Sequence, residues 1–529
     1  MPTDCISYQS SGYFTPLMND YLDQVHDLKP LYNRFPTLKN FELQIEEKQG
    51  NYTKAHREIL VTALQKQYQN VNASPSTKAS INLLQSENTF TITTGHQLNL
   101  FTGPLYFLYK IISTLNLAKE LKAQYPTYNF IPTYWMATED HDFEEINYFN
   151  FRGKKLRWNR ESSGAVGRLS TEGLDQVLEI FSLELGSGTN AETIKKLFAD
   201  TYLKHDNLAD ATRFLANELF GNEGLVILDA DDTGLKRLFS PHIKQELLEQ
   251  ISYTEVSETA QHLKAYNIQV NPREINLFYL TDKLRERIIF QNDTYYINNT
   301  QQKFSEAEIL SELEQFPERF SPNVIMRPLY QEVILPNLCY IGGGGELAYW
   351  LELKGFFDAV DVTFPILLLR NSVLIASEKQ AKKADRLDLS WADLFQRQTD
   401  LVNKKIKDMS EFPIDLSSHK LILQKQFDDL HQIASKTDKS FEGAVRAQEA
   451  RQIKGLENLE KRLLRAQKKK HSDELARITD LQNELFPYHS LQERHANFSE
   501  FYIDNGNKLI EQLQKKLNPL DNEFMILVL

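Results

Sequence analysis

Three short stretches concentrate the side chains that could do chemistry. The first, TGHQLNLFTGP, sets Gly95, His96, Gln97, Thr102 and Gly103 between a β-branched run and an amphipathic segment. A loop so placed ends at a helix N-terminus, where unpaired N–H groups carry partial positive charge and suit an anionic ligand group. The plainer alternative is a helix-capping turn with Thr102 or Gly103 near the cap. The second stretch is acidic: Glu139, Asp140, His141, Asp142, Glu144 and Glu145 follow an apolar run containing Trp135. Carboxylates this crowded repel unless they are solvated, paired with cations, protonated or metal-bound. His141 and Asp142 are the candidate acid/base residues, with His96 as a third catalytic candidate. His96 and Asp229 could converge with His141 on a metal, but no zinc-type spacing occurs and no metal site is assigned; a hydrogen-bonded network is the competing account.

The third stretch is Gly342, Gly343, Gly344, Gly345 and Glu346. Consecutive glycines cost backbone entropy, so they are expected where the chain needs positive φ or a ligand approaches the main chain; a flexible turn is the alternative. Arg327 and Gln331 stand one helical turn apart upstream. Arg327 can hold a carboxylate through two parallel hydrogen bonds, or it makes an inter-domain ion pair. No G-x-x-x-x-G-K-[ST] loop occurs, so P-loop ATP hydrolysis is not supported.

The elements that must position these residues alternate. TFTITT from Thr89, NFIPTYWM from Asn129, GLVILDADD from Gly224 and TFPILLLR near 363–370 read as strands, and Leu105 to Leu121 reads as a helix with Pro104 in its first turn. Strands separated by helices and ending in polar clusters predict an α/β core with a parallel sheet and ligands beyond the strand C-termini. We divide the chain into N-terminal helices and first core strands (1–150), an insertion (151–215), a core strand (216–239), a second insertion (240–320), core with the glycine turn (321–375), a helical coiled-coil arm (376–515) and a C-terminal strand returning to the core (516–529). In the arm, Ile453, Leu456, Leu459, Leu463 and Ala466 form a heptad-like seam. It fails at KKKHSDE and resumes out of phase at Leu475, Ile478, Leu481 and Leu485, which predicts a stutter or bend. Leu421 to Ile433 is its expected antiparallel partner, and the seam is expected to pack against a second protomer as well.

Composition narrows the class. Lys+Arg 60 against Asp+Glu 72 gives a net charge of −12, which disfavours nucleic acid and anionic membrane as partners. Two cysteines, Cys5 and Cys339, exclude a disulfide framework, and no signal-like leader or long apolar span is read, so a cytoplasmic protein is expected. Glycine is scarce, 21 in 529, which predicts a helix-rich chain and makes the 342–345 cluster informative.

At these stretches the chain resembles the cysteine-adding enzymes of bacillithiol biosynthesis, the BshC family of cysteine ligases. The resemblance is carried by TTGHQLNLFTGPLYFLYKIIS at 93–113, PTYWMATEDHDFEEIN at 132–147, GLVILDADD at 224–232, SPNVIMRPLYQEVILPNLCYIGGGGELAYW at 321–350 and LFPYHSLQER at 485–494. It implies a Rossmann-like core with connecting-peptide insertions, as in class I aminoacyl-tRNA synthetases and nucleotidylyl transferases, and an arm that forms a homodimer. It also implies ligation of L-cysteine to the amino group of glucosaminyl malate. Carried over by position, Gly95, His96, Gln97, Thr102, Gly103, His141, Asp142 and residues 342–346 would line the crevice. GHQ at 95–97 only partly echoes a HxGH nucleotide signature, so no cofactor is assigned, and an adenine nucleotide (ATP or ADP) is the candidate activator. The competing functions are a nucleotidyl-transferring or metal-dependent hydrolase built on the His/carboxylate cluster, and a dimeric coiled-coil scaffold with an inert core.

Overall fold

A computed structural model describes residues 1–529. Five strands, β1 (Thr89–His96), β2 (Asn129–Met136), β3 (Val226–Asp229), β4 (Asn337–Gly342) and β5 (Ile366–Leu369), form an all-parallel sheet in the order β5-β4-β1-β2-β3. Read from the other edge this is the doubly wound order 3-2-1-4-5, with the direction of winding reversing between β1 and β4. Ligands bind beyond the strand C-termini at such a reversal, because the loops there diverge to opposite faces and leave a crevice.

Strand β1 is buried along its whole length although every second residue is threonine. Phe90 and Ile92 pack with Phe41, Ile45, Leu117 and Leu121. The Thr91 and Thr93 hydroxyls donate to Asn337 Oδ1 at 3.2 and 2.8 Å, so their polarity is satisfied by the neighbouring strand. The helix after β1 spans Tyr106–Gln124 and starts later than expected. Pro104 lies before it, and Leu105 N–H donates to Ala496 O at 2.9 Å.

The first insertion opens with the hairpin Tyr148–Phe151/Lys154–Arg157, whose turn residues Arg152 and Gly153 are both left-handed (φ 47° and 76°), the backbone sense that matches strand twist. The second holds a five-stranded antiparallel sheet, in spatial order Lys303–Phe304, Thr294–Ile297, Leu284–Gln291, Leu277–Thr281 and Phe320–Pro322. Every expected boundary falls inside an element: 150/151 cuts the hairpin's first strand, 215/216 the helix Leu208–Phe220, 239/240 the helix Thr233–Glu249, 320/321 the strand Phe320–Pro322, 375/376 the strand Ser372–Ala376 and 515/516 the helix Lys508–Lys516. The final strand, Glu523–Val528, does not join the parallel sheet. It pairs with Ser372–Ala376 and Asp4–Ser7 in a three-stranded sheet that ties both chain ends to the residues just after β5.

The arm is an antiparallel hairpin of Ser417–Ala434 against Lys439–Lys470, with Lys420 2.6 Å from Glu460 and His431 Nε2 2.8 Å from Glu449. The long helix breaks at His471, and Ser472–Leu485 continues from it. Leu475, Ile478, Leu481 and Leu485 are buried against the body, whereas Leu459 on the first half of the seam is exposed.

Candidate active site

Loops following all five parallel strands open onto one cavity of about 920 Å³. β1 delivers Gly95, His96 and Gln97; β2 delivers Trp135 through Asp142; β3 delivers Ala230; β4 delivers the glycine turn; β5 delivers Arg370. The second insertion supplies Arg273, Phe278 and Arg285, and the C-terminal region supplies Arg494.

At the glycine turn, Gly343 caps the helix Gly344–Leu351. None of the four glycines has positive φ, which corrects one reason given for them. Space is the operative reason. A Cβ on Gly342 would lie 2.9 Å from Tyr340 Cε1, and one on Gly344 would lie 3.1 Å from Met18 Cγ, whereas one on Gly345 would meet nothing within 4 Å. Glu346 is not free for substrate: its carboxylate accepts from Gly343 N–H and Tyr340 OH (both 2.8 Å) and pairs with Lys110 at 2.6 Å. Lys110 also donates to Gly95 O at 2.7 Å. Burial pushes the Lys110 ammonium down, opposed by Glu346. A lysine in the apolar first half of that helix, between Tyr109 and Ile111, was the available sequence signal for this pair.

Arg327 lies over the Trp135 and Tyr340 rings at 6.0 and 5.9 Å and donates to Tyr349 OH at 2.8 Å, with no acidic partner within ion-pair distance. Gly95 admits this arrangement, since a Cβ there would sit 3.3 Å from Tyr340 OH and 3.7 Å from Arg327 Nη1. Gln331 does not line the cavity. Its Oε1 accepts from Arg327 at 3.4 Å and its Nε2 donates to Glu332 at 2.9 Å, so it braces Arg327 from behind. Burial raises the Glu332 carboxyl to about 7, with Lys48 opposing. Arg370 is also buried, paired with Glu493 at 2.7 Å, and its Nε has no partner.

The acidic stretch resolves residue by residue. Glu139 is held by Lys236 and accepts from Ser321 at 2.7 Å. Asp140 accepts from Gln97 Nε2 at 3.0 Å and from His141 N–H at 2.8 Å; burial raises its carboxyl, but these bonds and Arg285 outweigh that and hold it well below the usual carboxylate range. Gln97 also donates to Glu145 at 2.9 Å, so it orients the acids. Glu144 pairs with Arg157. Asp142 alone makes no side-chain hydrogen bond; its nearest charged partner is His141 Nε2 at 4.0 Å. His141 Nδ1 lies 2.6 Å from Arg285 Nη1. An arginine only donates, so Nδ1 must accept and the neutral ring carries its proton on Nε2.

Several expectations are corrected here. The only histidine/acid trio with ligand atoms within 4.8 Å of one another is Asp140, His141 and Asp142; His96 and Asp229 do not join it. Asp229 is half-buried and accepts from Thr138, Asp231 forms a bidentate pair with Arg168, and Asp232 caps Thr233–Glu249, so that acidic run is structural. His96 lines the cavity but is 7% exposed, and burial, with Lys110, pushes its imidazole down to about 3. It remains neutral and is not a proton acceptor near pH 7. Thr102 and Gly103 lie outside the cavity. Phe101 and Thr102 take left-handed φ (48° and 67°), and Asn497 donates to Phe101 O and Gly103 O at 2.8 and 2.6 Å, so this turn anchors the C-terminal region.

Comparison with known proteins adds two kinds of match. The family model described as "Bacillithiol biosynthesis BshC, N-terminal Rossmann-like domain" matches residues 1–371, and the one described as "Bacillithiol biosynthesis BshC, C-terminal coiled-coil domain" matches 373–529. A protein of Flavobacterium johnsoniae named "Putative cysteine ligase BshC" is 68% identical over 529 residues, covering 100% of both chains. Proteins of the same name from Cytophaga hutchinsonii and Bacillus cereus are 38% identical (97% of this chain, 96% of the relative) and 26% identical (94% and 95%).

Proposed function

The chain belongs to the BshC family of bacillithiol-biosynthesis ligases, and from that premise we propose that it joins L-cysteine to the amino group of glucosaminyl malate. The observation that carries this reading is the distribution of charge in one cavity. Arg327 and Arg494 lack acidic partners, and Asp142 is an uncommitted carboxylate lining the same cavity. Both substrates carry carboxylates and the acceptor carries an amine, so anionic and cationic groups each find an unpaired counterpart.

In this mechanism the acceptor's ammonium is drawn to Asp140, which stays ionised, and Asp142 takes the proton from the amine nitrogen. His141 keeps its Nε2 proton because Arg285 occupies Nδ1; it orients the amine or the Asp142 carboxylate rather than acting as the base. Arg327 holds the cysteine carboxylate before activation, and the N–H groups of Gly344 and Gly345 stabilise the oxyanion as the amine nitrogen adds to the activated carboxyl carbon, from which the activating group then departs as the amide forms. Forming an amide from a free carboxylate requires activation, and a nucleoside triphosphate would supply it when bound. The residues suited to its phosphates are Arg370, whose Nε is unpartnered, and Arg494.

Incubation of the purified protein with cysteine and glucosaminyl malate, with and without ATP, followed by mass spectrometry of the thiol and of any AMP or ADP, tests the reading. Absence of the cysteinyl product under both conditions overturns it. His141→Ala and Asp142→Asn proteins working at the wild-type rate would overturn the residue roles. We also propose that two chains associate through the arm, because Leu421, Ile422, Leu430, Ile433, Phe441 and Leu459 are exposed on the hairpin. Light scattering showing a monomer at micromolar concentration would refute this.

A further inference from the structure

On the second insertion's sheet, Phe278 stands opposite Arg287 and Leu280 opposite Arg285. Directly paired residues of an antiparallel ladder point to the same face, as do alternate residues of one strand, so Phe278, Arg285 and Arg287 share a face. Phe278 and Arg285 line the cavity, with the Arg285 guanidinium 4.0 Å over the Phe278 ring, so this is the cavity face; Arg287, directly opposite Phe278, stands on that face just outside the lining. Arg273 reaches the same wall from the segment between Tyr266 and Asn276. The N–H groups of Gln269 and Val270 in that segment donate to the buried Glu352 carboxylate at 2.7 and 3.4 Å, and no backbone–backbone hydrogen bond holds residues 267–273.

Neither Arg273 nor Arg287 forms an ion pair or a side-chain hydrogen bond, whereas Arg285 beside them is committed to His141, Ser321 and Pro322 O. The two are close enough that Arg273, after burial, lowers the basicity of Arg287. Two adjacent guanidiniums without an acid between them repel, and an anion offering two carboxylates relieves that repulsion.

We infer that Arg273 and Arg287 clamp the dicarboxylate end of the amine-bearing substrate and so determine specificity for an acidic aglycone. The inference rests on the proposed reaction and deepens it. With the amine at Asp142 and the wall of Phe278 and Arg285 beside His141, the acceptor lies along the second insertion, which leaves the glycine-turn side to cysteine.

The test uses the full-length protein and its Arg273→Ala, Arg287→Ala and double variants. The KM for glucosaminyl malate is expected to rise about tenfold or more for each single variant, by the strength of a charge-assisted hydrogen bond, with the KM for cysteine unchanged. Methyl glucosaminide, which lacks the two carboxylates, should be a poor acceptor for the wild type and equally poor for the variants. Calorimetry with malate alone separates this inference from the reading beneath it. Malate binding that the double variant loses supports the clamp even if no ligation is seen. Ligation with an unchanged acceptor KM in the double variant, or malate binding equal in wild type and double variant, overturns the clamp while leaving the reaction standing.

Discussion

The cavity and the coiled-coil arm have opposite deficits. In the cavity apolar surface is covered and charge is left unpaired: Arg273, Arg327 and Arg494 face it without acidic partners. In the arm charges are paired across the hairpin, Lys420 with Glu460 and His431 with Glu449, and apolar side chains are left uncovered. Unpaired charge calls for a small ionic ligand, because only a group that enters and leaves can neutralise it without filling the site permanently. Uncovered leucine and isoleucine on an extended hairpin call for another surface of the same kind. On the proposed reading the first region serves chemistry and the second assembly.

The largest expected effect comes from closing the cavity while leaving the fold alone. A Cβ at Gly345 would touch nothing, so Gly345→Val should leave Tm nearly unchanged, within about 0.5 kcal/mol of stability. Gly345 lines the cavity, and kcat/KM should fall by about 10²-fold or more because the branched side chain blocks approach to the N–H groups proposed to hold the oxyanion. Full activity in that variant would mean that the glycine turn takes no part in the reaction. Next, Asp142→Asn should lower kcat by about 10²-fold or more with circular dichroism unchanged, the usual range for a lost general base. His141→Gln should cost less, since it removes orientation rather than the base.

On the arm, Ile433→Asp with Leu459→Asp should shift the protein from dimer to monomer in light scattering. The cysteine ligation measured per chain should change less than about threefold, because the cavity is formed within one chain. A parallel loss of activity would mean that the arm also completes the site. The smallest effect concerns pH. Burial raises the Glu352 carboxyl to about 7, above the roughly 4.3 of an unfolded glutamate. Between those values the folded chain holds a proton that the unfolded chain does not, so this group's contribution is full below the lower value and is lost as pH rises through the upper one. Glu352→Gln should flatten the fall of stability across that window in denaturant titrations, and an unchanged slope would contradict the assignment.

Much of the scaffold was legible from residue order. NFIPTYWM matches the second parallel strand, Asn129–Met136, residue for residue. Leu421–Ile433 lies within the arm's first helix, and KKKHSDE contains the helix break at His471. These features are local, set by hydrophobic period and by breaks in it. The strand Leu284–Gln291 was missed because its charged residues hide the alternation that partly buried neighbours create.

Site composition divides differently. By itself the sequence determined that polar and glycine-rich clusters would follow three apolar strands, and Gly95–Gln97, Glu139–Asp142 and Gly343–Glu346 from those clusters line the one cavity. Tertiary structure alone decided what each member does. His96 is kept neutral by burial next to Lys110, Glu346 is spent on a helix cap and an ion pair, Gln331 stands behind Arg327, and Asp142 is left free. The physical reason is that a side chain's charge and availability depend on its neighbours in space. Lys110, Arg285 and Arg370, which set the electrostatics of the cavity, come from segments far from the residues they control.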